Sequence, residues 1–181
     1  MIYVFLADGF EETEAIAAID VLRRDERRVL TVGIGEEVVT SSHGISIVTD
    51  ITEVDVVLDD SVDMIVLPGG MPGTLNLEKN RTVRDAIEFC VKNNKYIGAI
   101  CAAPSILGRM NLLNGKKATC FPGFEQFLLG AEYTGEPVEA DGNIITSRGA
   151  GVAVDFGLKL VECLSGSTAA KKLSSAMRCK E

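Results

Sequence analysis

The sequence predicts an α/β fold, a mostly parallel, doubly wound sheet assembled from βαβ units. Two observations carry this. Short continuous apolar runs alternate along the chain with longer stretches of helical periodicity. No repeat, low-complexity tract or Pro/Gly/Ser linker interrupts the 181 residues, so one domain over 1–181 is expected.

Ile2–Ala7 is the first strand, an apolar run without a basic flank that enters Asp8-Gly9-Phe10-Glu11-Glu12 at once. That flank argues against a signal peptide. A helix from about Glu12 to Arg24 follows, then a strand over Val29–Gly33. Glu37–Thr40 and Ile45–Val48 form a small hairpin or edge pair about Ser42-His43-Gly44. Asp63–Leu67 is a buried strand, ended by Pro68-Gly69-Gly70-Met71-Pro72-Gly73. Val83, Ala86, Ile87, Cys90 and Val91 then recur at helical spacing as one stripe facing a core.

Tyr96–Ile100 is the next buried strand and runs through Cys101 into a helix over about Pro104–Met110. Ala118-Thr119-Cys120 reads as a short strand. Val138–Ala140 and Asn143–Thr146 flank Asp141-Gly142, a hairpin signal. A helix over roughly Gly151–Leu164 has Val154, Leu158 and Val161 on one side, and the last dozen residues give a short helix and a frayed end.

Charge narrows the function classes. Eighteen basic against 26 acidic residues leave a net charge of −8, which repels phosphate backbones and anionic lipid. Nucleic-acid and membrane partners are not expected. No segment approaches the roughly 20 apolar residues that span a bilayer. Five cysteines without CxxC spacing fit reduced thiols in a cytoplasmic setting, and a single histidine, His43, sets aside a histidine-rich metal site.

Sites in doubly wound sheets form beyond the carboxyl ends of the strands. Three features fall there: Glu11, Glu12 and Glu14 after the first strand, Gly69-Gly70 after Asp63–Leu67, and Cys101 after Tyr96–Ile100. Small neighbours at 99, 102 and 103 permit a strand–turn–helix elbow at Cys101, with Pro104 suited to the first helical turn. At a helix start, dipole and free N–H groups favour thiolate, so a lowered thiol pKa is expected. Position alone leaves open a small buried core cysteine.

Glu14 is the natural partner. As a desolvated carboxyl beside the sulfur it would stay protonated and donate to it. Surface charge complementing the helix dipole is the other reading, and it covers Glu11 and Glu12 well. The Gly69-Gly70 turn lacks the Lys and Ser/Thr of a Walker motif, but its N–H groups with that of Ala102 could hold an oxyanion; a tight turn needing positive φ is the alternative. Cys90 and Cys163 read as packing residues, Cys120 as core or a resolving thiol, Cys179 as exposed, and His43 as a solvated loop residue.

Taken together, Asp8-Gly9-Phe10-Glu11-Glu12-Thr13-Glu14, Leu67-Pro68-Gly69-Gly70, Ala99-Ile100-Cys101-Ala102-Ala103-Pro104 and Thr146-Ser147-Arg148-Gly149 resemble the ThiJ/PfpI superfamily, in the branch of the parkinsonism-linked redox protein. The resemblance is ordered and covers nearly the whole chain. It implies a flavodoxin-like α/β/α sandwich, related to class I glutamine amidotransferases, in a homodimer. It maps a reactive cysteine to Cys101, its acidic partner to Glu14 and an oxyanion pocket to Gly70 and Ala102. Arg24 matches a basic residue lying near the partner subunit's site.

Activities implied are glutathione-independent glyoxalase, protein deglycase and redox-dependent chaperoning, with small reactive aldehydes or glycated groups as substrates and no metal or organic cofactor. A non-enzymatic redox sensor using the same cysteine is the alternative, and a cysteine hydrolase the third. Three departures matter. Ala102 stands where peptidase-like relatives carry a histidine. Phe121 falls where some members present a histidine near the elbow. Ser42-His43-Gly44 aligns with an arginine of the dimer pocket, for which His43 would substitute.

Overall fold

Alternation along the first strand sets the layers. In the computed structural model, which describes residues 1–179, β1 (Ile2–Leu6) is fully buried. Ile2, Val4 and Leu6 face one core and Tyr3 and Phe5 the other, as a period of two requires. The chain continues through α1 (Glu12–Arg24), β2 (Val29–Gly33), a separate hairpin of β3 (Val38–Thr40) and β4 (Ser46–Val48), β5 (Ile51–Thr52) and β6 (Met64–Leu67). Then come α2 (Gly73–Lys79), α3 (Arg81–Lys92), β7 (Tyr96–Ile100), α4 (Pro104–Arg109), β8 (Lys117–Ala118) and β9 (Glu132–Tyr133). The hairpin β10 (Val138–Asp141) and β11 (Ile144–Ser147) precedes α5 (Ala153–Ser165) and α6 (Ser167–Ala176).

Seven strands form the main sheet in the order β10-β11-β7-β6-β1-β2-β5. All neighbours are parallel except β10 with β11. Helices α2, α3 and α4 cover the Tyr3/Phe5 face, while α1, α5 and α6 cover the Ile2/Val4/Leu6 face. The result is the expected α/β/α sandwich. From β1 the chain moves outward to β2 and later returns to β6 on the other side of β1, so the winding reverses there. That reversal opens a crevice at the strands' carboxyl ends.

Several segments depart from the sequence reading. Helix α2 begins at Gly73, the last residue of the segment read as a turn, and runs on through residues given no element. Strand β8 starts one residue before the short strand read at Ala118-Thr119-Cys120 and ends at Ala118, and the two-residue strands β5 and β9 were not anticipated. In α5 the buried face is Ala153, Phe156, Gly157, Leu160 and Val161, while Val154 is exposed. Leu158 turns instead toward Ala170 and Ser174 of α6, which gives α5 a second neighbour. Val91 ends the α3 stripe in solvent. The short final helix is α6; the expected frayed end includes residues 180 and 181, which lie outside the described residues. No helix among the described residues is long and apolar enough to cross a membrane.

Candidate active site

The loops after β1 and β6 are stitched together by backbone bonds. Glu11 N–H donates to the Gly69 carbonyl at 3.0 Å and Gly73 N–H to the Gly9 carbonyl at 3.2 Å. Gly70 has φ +87, and a Cβ there would fall 2.4 Å from the Glu11 nitrogen, so no side chain fits. The start of α1 is thereby fixed over the end of β6.

The three glutamates at that helix start have different tasks. Glu11 is the N-cap, its Oε2 accepting from the Glu14 N–H at 2.6 Å. Glu12 pairs with His43, Oε1 to Nδ1 at 2.9 Å, tying the β3–β4 turn to α1. Glu14 points inward and is only 1% exposed. Its Oε2 accepts the Gly69 N–H at 2.9 Å, whereas Oε1 is buried without a partner among the described residues.

Cys101 directly follows β7 with φ +65, a left-handed conformation unusual for a residue with a side chain. Its neighbours hold it there. Its N–H donates to the Ser147 carbonyl at 2.8 Å, and its carbonyl accepts the Phe121 N–H at 2.8 Å. The strained turn projects the sulfur toward Glu14, close enough that each group shifts the titration of the other. A Cβ on Gly69 would sit 2.6 Å from the Cys101 Cβ and 2.7 Å from Glu14 Oε2, so only glycine leaves room for this contact.

Burial pushes the Glu14 carboxyl up to about 7. The Cys101 thiol does not show the expected depression. Burial first, and the facing Glu14 charge second, push it up to about 12, against the pull of the Gly70 and Ala102 N–H groups. The dipole is weak here because α4 has only six residues and begins three positions later. Two such groups titrate as a pair. Glu14 loses its proton near neutrality while the thiol keeps its own, so above about pH 7 a carboxylate faces a thiol. That carboxylate is placed to take the thiol proton as the sulfur reacts.

Residues 1–163 match the DJ-1/PfpI family. The chain belongs to that family. It is 38% identical over 177 residues to protein DJ-1 homolog B of Arabidopsis thaliana, covering 97% of this chain but only 40% of that protein. The chain therefore spans less than half the length of this curated relative. A glutathione-independent glyoxalase of Caenorhabditis elegans, DJR-1.2, is 35% identical over 158 residues, which is 86% of this chain and 83% of that one. The solved structure of oxidized Toxoplasma gondii DJ-1 superposes with a TM-score of 0.92 at 31% identity, covering 97% and 96% of the two chains. These likenesses agree with the sandwich and with the family read from the motifs.

Within this DJ-1/PfpI site the remaining candidates are placed as follows. The Gly70 and Ala102 N–H groups lie near enough to the sulfur to pull its pKa down, whereas the Gly69 N–H is taken by Glu14, so Gly69 positions the acid. Arg24 is at the far end of α1, ten residues or about 15 Å from Glu14, and pairs with Asp20 at 2.7 Å. His43 is in the exposed turn. Neither belongs to this chain's own cysteine site. Cys90 and Cys120 are fully buried.

Among the described residues, Glu11, Glu12 and His43 form the one group whose ligand atoms, one from each, converge within 4.8 Å. Glu11 is occupied as a cap, and Glu12 is held against the His43 ring nitrogen. The sequence reading of the residues themselves overlooked the end of β11, where Ser147 accepts from the Cys101 N–H, Gly149 comes close to Glu14 Oε1, and Ala150 follows. Applying the carboxyl-end rule to that strand, as to β1, β6 and β7, would have found them.

Proposed function

We propose that this chain is a cysteine-dependent, glutathione-independent glyoxalase acting on 2-oxoaldehydes such as methylglyoxal. One observation carries the reading: an elbow cysteine and a carboxyl that is 1% exposed meet over Gly69, and burial raises that carboxyl to about 7. A proton carrier of that strength is matched to neutral pH.

Cys101 sulfur adds to the aldehyde carbon while its proton passes to Glu14, giving a hemithioacetal. The Gly70 and Ala102 N–H groups stabilise the oxyanion as charge develops on it. Glu14 returns its proton to that oxygen and, as carboxylate, removes the hydrogen from the former aldehyde carbon. The resulting enediol is reprotonated at the neighbouring carbon to a 2-hydroxy thioester. Water cleaves the thioester, releasing the hydroxy acid and restoring the thiol. The net change adds one water and needs no external oxidant or reductant. Deglycation of adducts would use the same attack and oxyanion contacts.

The same reading carries a homodimer in the cytoplasm, with Arg24 and His43 serving the partner subunit's site. Exposed Ile16 on α1 and Val38, Ile45 and Val48 on the β3–β4 hairpin support such a contact. A second reading, redox sensing or chaperoning, is favoured by the oxidized Toxoplasma relative. Sulfenic or sulfinic oxygens on Cys101 would accept from Gly70, Ala102 and a protonated Glu14. A hydrolase reading is weaker, since the single histidine is engaged by Glu12.

Steady-state conversion of methylglyoxal to lactate without glutathione tests the proposal. The parent turns over, and Cys101→Ser and Glu14→Ala each lose at least a hundredfold in kcat. Unchanged activity in both variants removes the mechanism. Selective oxidation of Cys101 with negligible turnover favours sensing.

A further inference from the structure

A cleft of about 450 Å³ opens between Phe121-Pro122 and the Arg148–Val152 segment. That is within the usual range for a small-molecule site, about 300–1,000 Å³. Both walls hang on the backbone of Cys101. Its carbonyl holds the N–H of Phe121, and its N–H is held by Ser147, the residue before Arg148. The floor is Gly149, with φ +152 in a region open in practice to glycine alone. A methyl group on Gly149 would come within 3.3 Å of Phe121 Cδ2 and 4.0 Å of Glu14 Oε1. The cleft is therefore separated from the catalytic carboxyl by a residue without a side chain. Glu14 Oε1, on the far side of that floor, is the oxygen left without a partner.

The lining favours one kind of occupant. Phe121 exposes 47% of its surface, and Pro122, Ala150 and Val152 add apolar walls. Arg148 is exposed and makes no ion pair among the described residues, its guanidinium only touching the Gly135 carbonyl at 3.5 Å. An aromatic ring and an unpaired guanidinium both attract a flat π system, by stacking and by cation–π contact. A methyl substituent would leave most of this cleft wet.

We infer that the cleft is the substituent subsite of the cysteine centre, that it takes planar aromatic groups, and that Phe121 determines this specificity. The substrate class is then aryl 2-oxoaldehydes in preference to short alkyl ones. The inference rests on the glyoxalase reading and deepens it.

The test compares phenylglyoxal with methylglyoxal, and a pair of diketones that cannot be turned over. In the parent, kcat/KM for phenylglyoxal exceeds that for methylglyoxal by about tenfold or more, a step of the size one apolar contact provides. Phe121→Ala lowers that ratio about tenfold, chiefly through KM, and Phe121→Leu gives an intermediate ratio. Since Phe121 is half exposed, both variants retain the fold, which far-UV circular dichroism checks. In parallel, Cys101→Ser binds 1-phenyl-1,2-propanedione at least tenfold more tightly than 2,3-butanedione, and adding Phe121→Ala erases the difference. Turnover with a ratio that Phe121→Ala does not move overturns the subsite and leaves the glyoxalase reading intact. No turnover in the parent overturns the glyoxalase reading; the diketones then decide the subsite, which falls if the two bind alike.

Discussion

Glu14 accepts the Gly69 N–H at 2.9 Å across 55 residues of sequence, and this bond turns a helix-start carboxyl against the Cys101 sulfur. The two residues belong to different strand–loop units, joined only because β1 and β6 are neighbours in the sheet. The acid is held in place by the loop it touches, and the loop tolerates it because residue 69 has no side chain.

Gly69→Ala tests that dependence. The added methyl meets the Cys101 Cβ at 2.6 Å and Glu14 Oε2 at 2.7 Å, and neither can retreat freely. Such overpacking costs about 1–3 kcal/mol. Urea unfolding should show that loss, and Cys101 alkylation at pH 7 should fall at least tenfold in the folded variant.

Glu14 also makes stability depend on pH. Its carboxyl ionises near 4.5 when unfolded and near 7 when folded. Between those values the folded state keeps a proton the unfolded state has lost. Stability from this group is thus complete below pH 4.5, declines as pH rises to 7, and is gone above it. The full effect is of order 3 kcal/mol. Glu14→Gln lacks this penalty. Its unfolding free energy should therefore gain on the parent's between pH 4.5 and 7, and hold that gain at pH 8. Parallel curves across the range would refute this.

Thiol reactivity should discriminate sharply among the cysteines. Cys90 and Cys120 are fully buried, and burial pushes both up to about 12. Cys101 alone combines a partly open position with a proton-accepting neighbour. Brief iodoacetamide treatment at pH 7.5 followed by peptide mass mapping should label Cys101 and spare Cys90 and Cys120. Mild peroxide should oxidise the same residue first.

Much of the architecture was legible because its cause is local. The bounds of α1, β2 and β7 read from periodicity are those observed, since each is a short apolar pattern with a clear stop: Asp25-Glu26 after α1, Gly33 at the end of β2 and the turn at Cys101 after β7. Helix α2 was hidden by Pro72 and Gly73, which stand at its start and also read as a turn. Strands β5 and β9 were missed because two residues carry no period, and β8 was placed one residue late for the same reason; their pairing comes from tertiary contact. The stripe of α5 was displaced because small Ala153 and Gly157, rather than Val154, face α1.

The meeting of Glu14, Gly70 and Cys101 followed from the carboxyl-end rule. The acidity of the thiol did not. Local sequence shows a helix start, whereas the field at the sulfur is set by burial and by a carboxyl 87 positions away in sequence. Gly69 misled for a related reason: its N–H is free in the sequence and spent in the structure.

The role of Glu14 as proton acceptor for Cys101 is tested most directly by the pH dependence of Cys101 alkylation in the parent and in Glu14→Gln, with the other cysteines blocked by burial or replaced. The parent should show a reactivity step centred near pH 7, as Glu14 ionises and becomes able to take the thiol proton. In Glu14→Gln that step should vanish and reactivity should rise only at distinctly more alkaline pH, because no base remains and burial still holds the thiol proton. Identical profiles in the two proteins would contradict the account.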